Sequence, residues 1–356
     1  MKNLLIFIVF LTSLPNSHQN ESLLDFNMEN KLHVIPQKER DSSNSLSRLT
    51  VSGNAFINEE GETLVFHGLN TSDPDKLASQ GHWNKGYFEE MKSWGANLVR
   101  IPVHPRAWRK WGEEQYLYLL DQGIEWATEL DLYIIIDWHS IGNLRSQLYQ
   151  HEMYRTTQME TFEFWRTIAR RYGDNSTVAF YEIYNEPTTF NGQLGTCSWA
   201  QWKELVEEVI TIIRANGGKG IPLVAGFNWA YDLTPVENDP INAEGIAYVS
   251  HPYPQKRSKP WEDQWTKDWG FVKEKYPLIL TEIGFAGAEE KGAHIPVISD
   301  ESYGDAITSY CDEKGISYVV WVFDPNWDPG LFSDWDYTLT RHGRYFKAHM
   351  EKYLKD

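Results

Sequence analysis

The stretch VAFYEIYNEP, residues 178–187, is apolar and β-favouring as far as Tyr184, then closes on an amide, a carboxylate and a proline. A near-continuous apolar run of this length reads as a strand covered on both faces. Proline has no N–H to give to a sheet. Pro187 is therefore expected to stop the strand and hold Asn185 and Glu186 at its rim. A carboxylate closing a buried strand raises the question of what lies beside it.

Seven other runs share this texture: LVFHGLN (64–70), NLVRIPVH (97–104), LYIIIDWH (132–139), PLVAGFN (222–228), IAYVSHPY (246–253), PLILTEIGF (277–285) and YVVWVFDP (318–325). Between them the apolar residues recur at helical spacing. Tyr87, Phe88, Met91 and Trp94 share a face, as do Tyr116, Leu119, Leu120, Gly123, Ile124 and Ala127. Phe162, Trp165, Ile168, Ala169 and Tyr172 form a third stripe. Trp202, Leu205, Val206, Val209 and Ile213 form a fourth, behind a candidate N-cap at Ser198. Eight alternations of this kind predict an α/β fold of the (β/α)8 TIM-barrel type. The interval 229–245 has no helical period, so that crossover should lack a full helix. A doubly wound sheet would want a Gly-rich phosphate turn after its first strand, and none is present. Upstream, LTVSGNAFINEEGETLVFHGLN (49–70) carries two apolar runs around the turn Glu59–Gly61, which predicts a short hairpin.

In such a barrel, chemistry collects at the C-terminal ends of the strands. The second run carries Arg100, the third ends with Asp137 and His139, and the fourth with Asn185 and Glu186. The sixth ends with His251 and Tyr253, the seventh carries Glu282, and the eighth carries Trp321. One such residue alone would be an ordinary rim residue. Six runs closing on polar or aromatic groups at one face form a candidate site. Two glutamates across a barrel mouth suit glycoside hydrolysis: one carboxylic acid protonates the leaving oxygen while the other attacks the anomeric carbon or activates water. Arg100 would favour the charged form of Glu282. Asn185 could donate to a sugar 2-hydroxyl.

The motifs GLN (68–70), NLVRIPV, IIDWH, YEIYNEP, HPY, LTEIGF and WVFDPNW occur in the order found in glycoside hydrolase family 5, the cellulase family of retaining (β/α)8 enzymes. From Leu49 onward the chain resembles that family. The resemblance implies Glu186 as acid/base and Glu282 as nucleophile of a double displacement. It implies Arg100, His139, Asn185, His251, Tyr253 and Trp321 as supporting residues, with Tyr253 near the nucleophile, His251 tuning Glu186 and Trp321 under the sugar. Among the loop tryptophans, Trp327 is the best placed for sugar stacking. Trp138, Trp199, Trp229 and Trp261 suit stacking or packing equally. The resemblance implies an endo-β-1,4-glucanase without cofactor or metal, with β-mannanase or mixed-linkage or xyloglucan activity as alternatives, and a non-catalytic glycan-binding barrel more remotely.

Bulk properties agree with a neutral polymer as partner. Fifty acidic against 33 basic residues give a net charge of −17, which disfavours nucleic acid. The short apolar run Leu4–Leu11 behind Lys2 fits a signal peptide over 1–19, with residues 20–48 a polar arm and 49–356 the catalytic domain. A secreted monomer with no membrane partner is the expectation. The two cysteines, Cys197 and Cys311, are placed at different ends of the fold and are not expected to pair. His67, His82, His104 and His151 lack metal-ligand spacing and read as structural or surface residues. Asn70 belongs to an Asn-x-Ser triplet, but sits where a glycan would obstruct.

Overall fold

The computed structural model describes residues 46–355. The expected signal peptide and most of the expected arm lie outside these residues. Eight parallel strands close into a barrel: His67–Asn70, Leu98–Val103, Tyr133–Trp138, Val178–Glu182, Ile221–Ala225, Ala247–Val249, Leu278–Ile283 and Ser317–Val320. The last pairs with the first, Tyr318 opposite His67. Each predicted run supplies one strand.

Alternate residues of these strands point inward. Phe66, Leu98, Tyr133, Ile135, Phe180, Leu223, Val249, Ile279 and Val319 belong to one apolar cluster that fills the lower barrel. Two residues further along the same faces stand Arg100, Asp137, Glu182, His251 and Thr281, and Asn70 stands beyond Gly68 on the first strand; all six are buried. The period of two thus carries one inward face from an apolar floor to a polar layer.

The floor is sealed from below. The expected hairpin is a three-stranded antiparallel sheet, Thr50–Ser52, Ala55–Ile57 and Thr63–Leu64. Phe56 of this sheet meets Phe180 edge-on at 5.1 Å. Packing begins before the expected boundary at Leu49: Leu46 joins the same cluster, and the Tyr133 hydroxyl donates to the Ser47 carbonyl at 2.7 Å.

The four predicted helical stripes fall on helices Lys85–Ser93, Glu113–Glu129, Gln158–Tyr172 and Trp199–Ala215, with every stripe residue except the C-cap Trp94 inside its helix and all of them buried. Ser198 caps the last of these in a reciprocal capping box with Gln201. After the fifth strand only the turn Phe227–Ala230 and a 3-10 segment, Thr234–Glu237, replace a helix. Cys197 and Cys311 are both free thiols.

Candidate active site

Pro187 does not end the strand as expected. The barrel strand has already stopped at Glu182. The chain then forms a second, two-residue strand, Glu186–Pro187, parallel to Ile141–Asn143 in the loop after the third barrel strand. The amides of Glu186 and Thr188 donate to the carbonyls of Ser140 and Gly142 at 3.1 and 2.9 Å. Pro187 occupies the intervening position, where no donor is needed. Glu186 is thereby fixed by backbone bonds on both sides.

Glu282 reaches the same centre by another device. The ladder between the seventh and eighth strands is irregular between Leu280 and Ile283. A bulge of this kind re-aims side chains. The consecutive residues Thr281 and Glu282 both bond within the barrel mouth as a result: Thr281 to His251 and Glu182, Glu282 to Arg100 and Tyr253.

Arg100 organises the layer beneath. Its Nε and Nη2 donate to the two oxygens of Glu182 at 2.6 and 3.0 Å. Nη2 also donates to Asn185 Oδ1 at 2.6 Å and lies 3.0 Å from Asp137 Oδ2, while Nη1 donates to Glu282 Oε1 at 3.1 Å and to Asn70 Oδ1. The Asn70 amide is buried and donates to the Thr281 carbonyl. Asn185 spends its carbonyl on Arg100, so its Nδ2, buried and without a partner, remains as a donor.

His251 joins the two candidate catalytic carboxylates. Its Nδ1 lies 3.0 Å from Glu186 Oε1 and 3.7 Å from Glu282 Oε2. Its Nε2 lies 2.9 Å from the Thr281 hydroxyl, which itself donates to Glu182 Oε1 at 2.9 Å. With the Thr281 proton committed to Glu182, the hydroxyl accepts from His251, which places a proton on Nε2. Tyr253 donates its hydroxyl to Glu282 Oε2 at 2.8 Å. Oxygens of Glu186 and Glu282 and a nitrogen of His251 all lie within 4.8 Å of one another. Among the described residues this is the one trio spaced to hold a metal ion, and each member is already bonded to protein.

The centre holds four carboxyl groups, Asp137, Glu182, Glu186 and Glu282, against the cations Arg100 and His251. Burial works against charge on His251, but Glu282, Glu182 and Glu186 outweigh it and lift its value to about 9. Burial also opposes charge on Glu182, yet Arg100 and His251 hold its carboxyl below the ordinary value. Glu282 goes the other way. Burial raises it, with Glu186 adding to the effect, and His251, Arg100 and Tyr253 only partly oppose this. The expected influence of Arg100 on Glu282 is present but does not decide the net direction.

His139 Nδ1 lies 2.6 Å from Asp137 Oδ2, and burial together with His104, Arg100 and His251 pushes it well below its ordinary value, which favours the neutral ring. With its one proton on Nδ1 facing the Asp137 carboxyl, Nε2 would keep a lone pair. Its ring lies parallel to Trp321 at 5.4 Å, and Trp321 in turn stacks on Trp327 at 5.8 Å. Lys76 sits 4.7 Å over the Trp327 ring.

The nine singled-out residues therefore adjoin, Trp327 being the outermost. Three loop tryptophans do not belong. Trp138 is fully buried, stacked on Phe164 with its N–H on Thr161; Trp261 stacks on Trp265; Trp199 bonds the Asp239 carbonyl. His104, expected to be structural or surface, is bound to Asp73 and lies 4.5 Å from the His139 ring. Glu182 and Thr281 escaped the reading by strand ends because both lie inside the predicted apolar runs, short of the run ends. The period of two that leads from Leu98 to Arg100 leads equally from Phe180 to Glu182 and marks the first.

A family model described as cellulase, glycosyl hydrolase family 5, matches residues 57–326. A β-glucanase from Saccharophagus degradans, SdGluc5_26A, solved in complex with cellotetraose, is 48% identical with a TM-score of 0.85, covering 86% of this chain and 94% of that one. Endoglucanase A of Butyrivibrio fibrisolvens is 27% identical over 286 residues, which are 77% of this chain and 59% of the relative. The catalytic domain of Thermobifida fusca endoglucanase Cel5A (E5) shares the fold at 21% identity, with a TM-score of 0.67 over 85% of this chain and 97% of that one. Family match, barrel and carboxylate pair coincide on one stretch of sequence: the chain belongs to glycosyl hydrolase family 5, the cellulase family.

Proposed function

We propose that the chain is an endo-β-1,4-glucanase that cleaves β-glucan chains internally by a retaining double displacement. The observation that carries the mechanism is the approach of Glu186 and Glu282 oxygens to within 4.8 Å. An inverting enzyme needs its carboxyl groups about 6.5–9.5 Å apart to seat a water, whereas retention needs about 5 Å. The names of the β-glucanase and endoglucanase relatives support the substrate class.

Glu282 attacks the anomeric carbon, its two oxygens held by Arg100 Nη1 and the Tyr253 hydroxyl. Glu186 has Oε1 occupied by His251, which leaves Oε2 to carry the proton to the leaving oxygen. The ester on Glu282 is then hydrolysed by water, whose proton returns to Glu186. The unpartnered Asn185 Nδ2 donates to the 2-hydroxyl, a contact that strengthens as charge develops at the anomeric carbon. His139 Nε2 accepts from a sugar hydroxyl, and Trp321 and Trp327, stacked in line with His139, form an aromatic path for the chain. Export, read from the run Leu4–Leu11, and action as a monomer belong to the same proposal. Among the described residues no helix is long and apolar enough to cross a membrane.

The test pairs two variants. Glu282→Ala abolishes turnover, and azide restores part of it as the inverted glycosyl azide. Glu186→Ala spares substrates with activated leaving groups far more than polysaccharide. Equal loss on both substrate types would remove Glu186 from the acid role. Release from carboxymethylcellulose and barley β-glucan exceeding that from glucomannan, galactomannan, xyloglucan and xylan confirms the substrate. Preference for a mannan would overturn it while leaving the two carboxylates in place.

A further inference from the structure

Beside His139 stands a second histidine paired to a buried carboxyl group. His104 Nδ1 lies 2.9 Å from Asp73 Oδ2, much as His139 Nδ1 lies 2.6 Å from Asp137 Oδ2. Asp73 Oδ2 also accepts the His104 amide at 2.8 Å, and Oδ1 accepts the Asp75 amide and the Tyr116 hydroxyl at 2.7 and 2.9 Å. A carboxyl group at which three other donors aim acts as an acceptor, so the imidazole proton on that side sits on Nδ1. Nε2 is left for a partner elsewhere. Among the described residues none bonds it, and although His104 is only 3% exposed, this atom is not sealed from solvent.

The rings around His104 belong to the cleft. It lies 4.5 Å from His139, which is parallel to Trp321 at 5.4 Å. Trp321 stacks on Trp327 at 5.8 Å, and Trp327 returns to His104 at 5.2 Å and 73°, closing a circuit of four rings. Tyr154 stacks on His104 at 5.7 Å. Burial, then Glu186 and Glu282, push the Tyr154 phenol up, so that ring lies in the field of the catalytic pair. His139 reaches Arg100 through Asp137, and His104 stands one ring further out.

The closed strand order sets the side of the cleft. Asp73, His104 and Trp327 follow the first, second and eighth barrel strands, which are neighbours. Glu186 follows the fourth, which stands opposite the eighth. Glu186 protonates the oxygen that leaves, so the departing unit lies toward the fourth strand and the rest of the chain toward the other three. We propose that His104, aimed by Asp73, is a substrate-binding residue whose Nε2 bonds a hydroxyl of the glucan unit next to the one that becomes attached to Glu282. A hydroxyl both donates and accepts, so it suits that nitrogen. A unit with no hydroxyl there would leave the nitrogen covered and unpaired, which makes the contact selective. This rests on the retaining reading above and adds a residue to it.

The experiment compares wild type, His104→Phe and His104→Gln on dinitrophenyl β-cellobioside, which carries that unit, and on dinitrophenyl β-glucoside, which lacks it. Phenylalanine keeps a ring against His139 and Trp327 and loses the nitrogen. Glutamine brings an amide close to the place of Nε2. In His104→Phe, kcat/KM on the cellobioside falls by about tenfold beyond any fall on the glucoside. His104→Gln recovers part of that ratio. Equal falls on the two substrates, the mark of a purely structural role, overturn the contact while leaving the retaining mechanism intact. So does a His104→Phe enzyme that matches wild type on both. A wild-type enzyme that releases dinitrophenol from neither substrate overturns both readings.

Discussion

Glu182→Gln tests whether the layer beneath the catalytic pair controls it. Glu182 is fully buried and receives Arg100 Nε and Nη2 as well as the Thr281 hydroxyl. A glutamine offers one acceptor oxygen where the carboxylate offers two, so at least one Arg100 N–H loses its partner. Breaking a buried pair costs about 3–5 kcal/mol. The variant also leaves three carboxyl groups where four repelled one another, which offsets part of the loss, so about 3 kcal/mol is expected, or about 6 °C in Tm at ~2 °C per kcal/mol. The pH dependence is more discriminating. Glu182 has a folded value below its unfolded 4.5, so its stabilisation is present above pH 4.5 and is lost as pH falls through the folded value. His251 has a folded value of about 9 against 6.5 unfolded, so its stabilisation is complete below pH 6.5 and is lost as pH rises through 9. Since Glu182 supports both terms, the stability difference between wild type and variant peaks between about pH 5 and 6.5 and narrows on either side. The alkaline limb of kcat/KM moves to lower pH, because His251 deprotonates more easily. Urea denaturation from pH 4 to 10, with a pH–rate profile on barley β-glucan, reads both. A stability difference below about 1 kcal/mol, or one flat with pH, would refute the coupling.

Asn185→Ala removes the free donor at the anomeric centre, and kcat falls by about 10²–10³ with little change in KM, read by steady-state kinetics. Tyr253→Phe removes a hydrogen bond that holds the Glu282 value down, so the acid limb of kcat/KM moves to higher pH in a pH–rate profile. Trp138→Phe gives up the N–H bond to Thr161 in the helix layer and loses about 1 kcal/mol of stability by urea denaturation. Its kcat/KM stays within about twofold, as expected of a tryptophan that belongs to the core.

The barrel was legible because each strand is buried on both faces and so reads as an unbroken apolar run, and each covering helix shows one apolar stripe. The residues that close those runs were legible for the same reason: an Arg, a Glu or a His breaks an apolar run visibly. Glu182 breaks one too, but Ile183 and Tyr184 follow it, and the Asn-Glu-Pro beyond draws attention to the later carboxylate. Trp138 misleads in the opposite sense. It neighbours Asp137 and His139, yet a strand alternates faces, so Asp137 points into the barrel while Trp138 points out to the helices. Trp229 could not be sorted from sequence at all, since its placement depends on a left-handed backbone in residues that ordinarily avoid it.

The residues hidden from the sequence are those that decide how the visible ones ionise. Glu186 and Glu282 stand close enough to repel, and burial raises Glu282 further. Left alone, such a pair would hold its protons too tightly for the proposed mechanism, in which one member attacks while the other donates. Arg100 supplies the compensating charge, but only if it stays buried and aimed, and the two bonds to Glu182 aim it. Glu182 also holds the Thr281 hydroxyl in the orientation that keeps a proton on His251 Nε2. One buried carboxylate that never meets substrate thus positions both cations of the site. A chain that kept Asn185, Glu186 and Glu282 but lost Glu182 would keep the family's visible signature and lose the charge balance that lets it work.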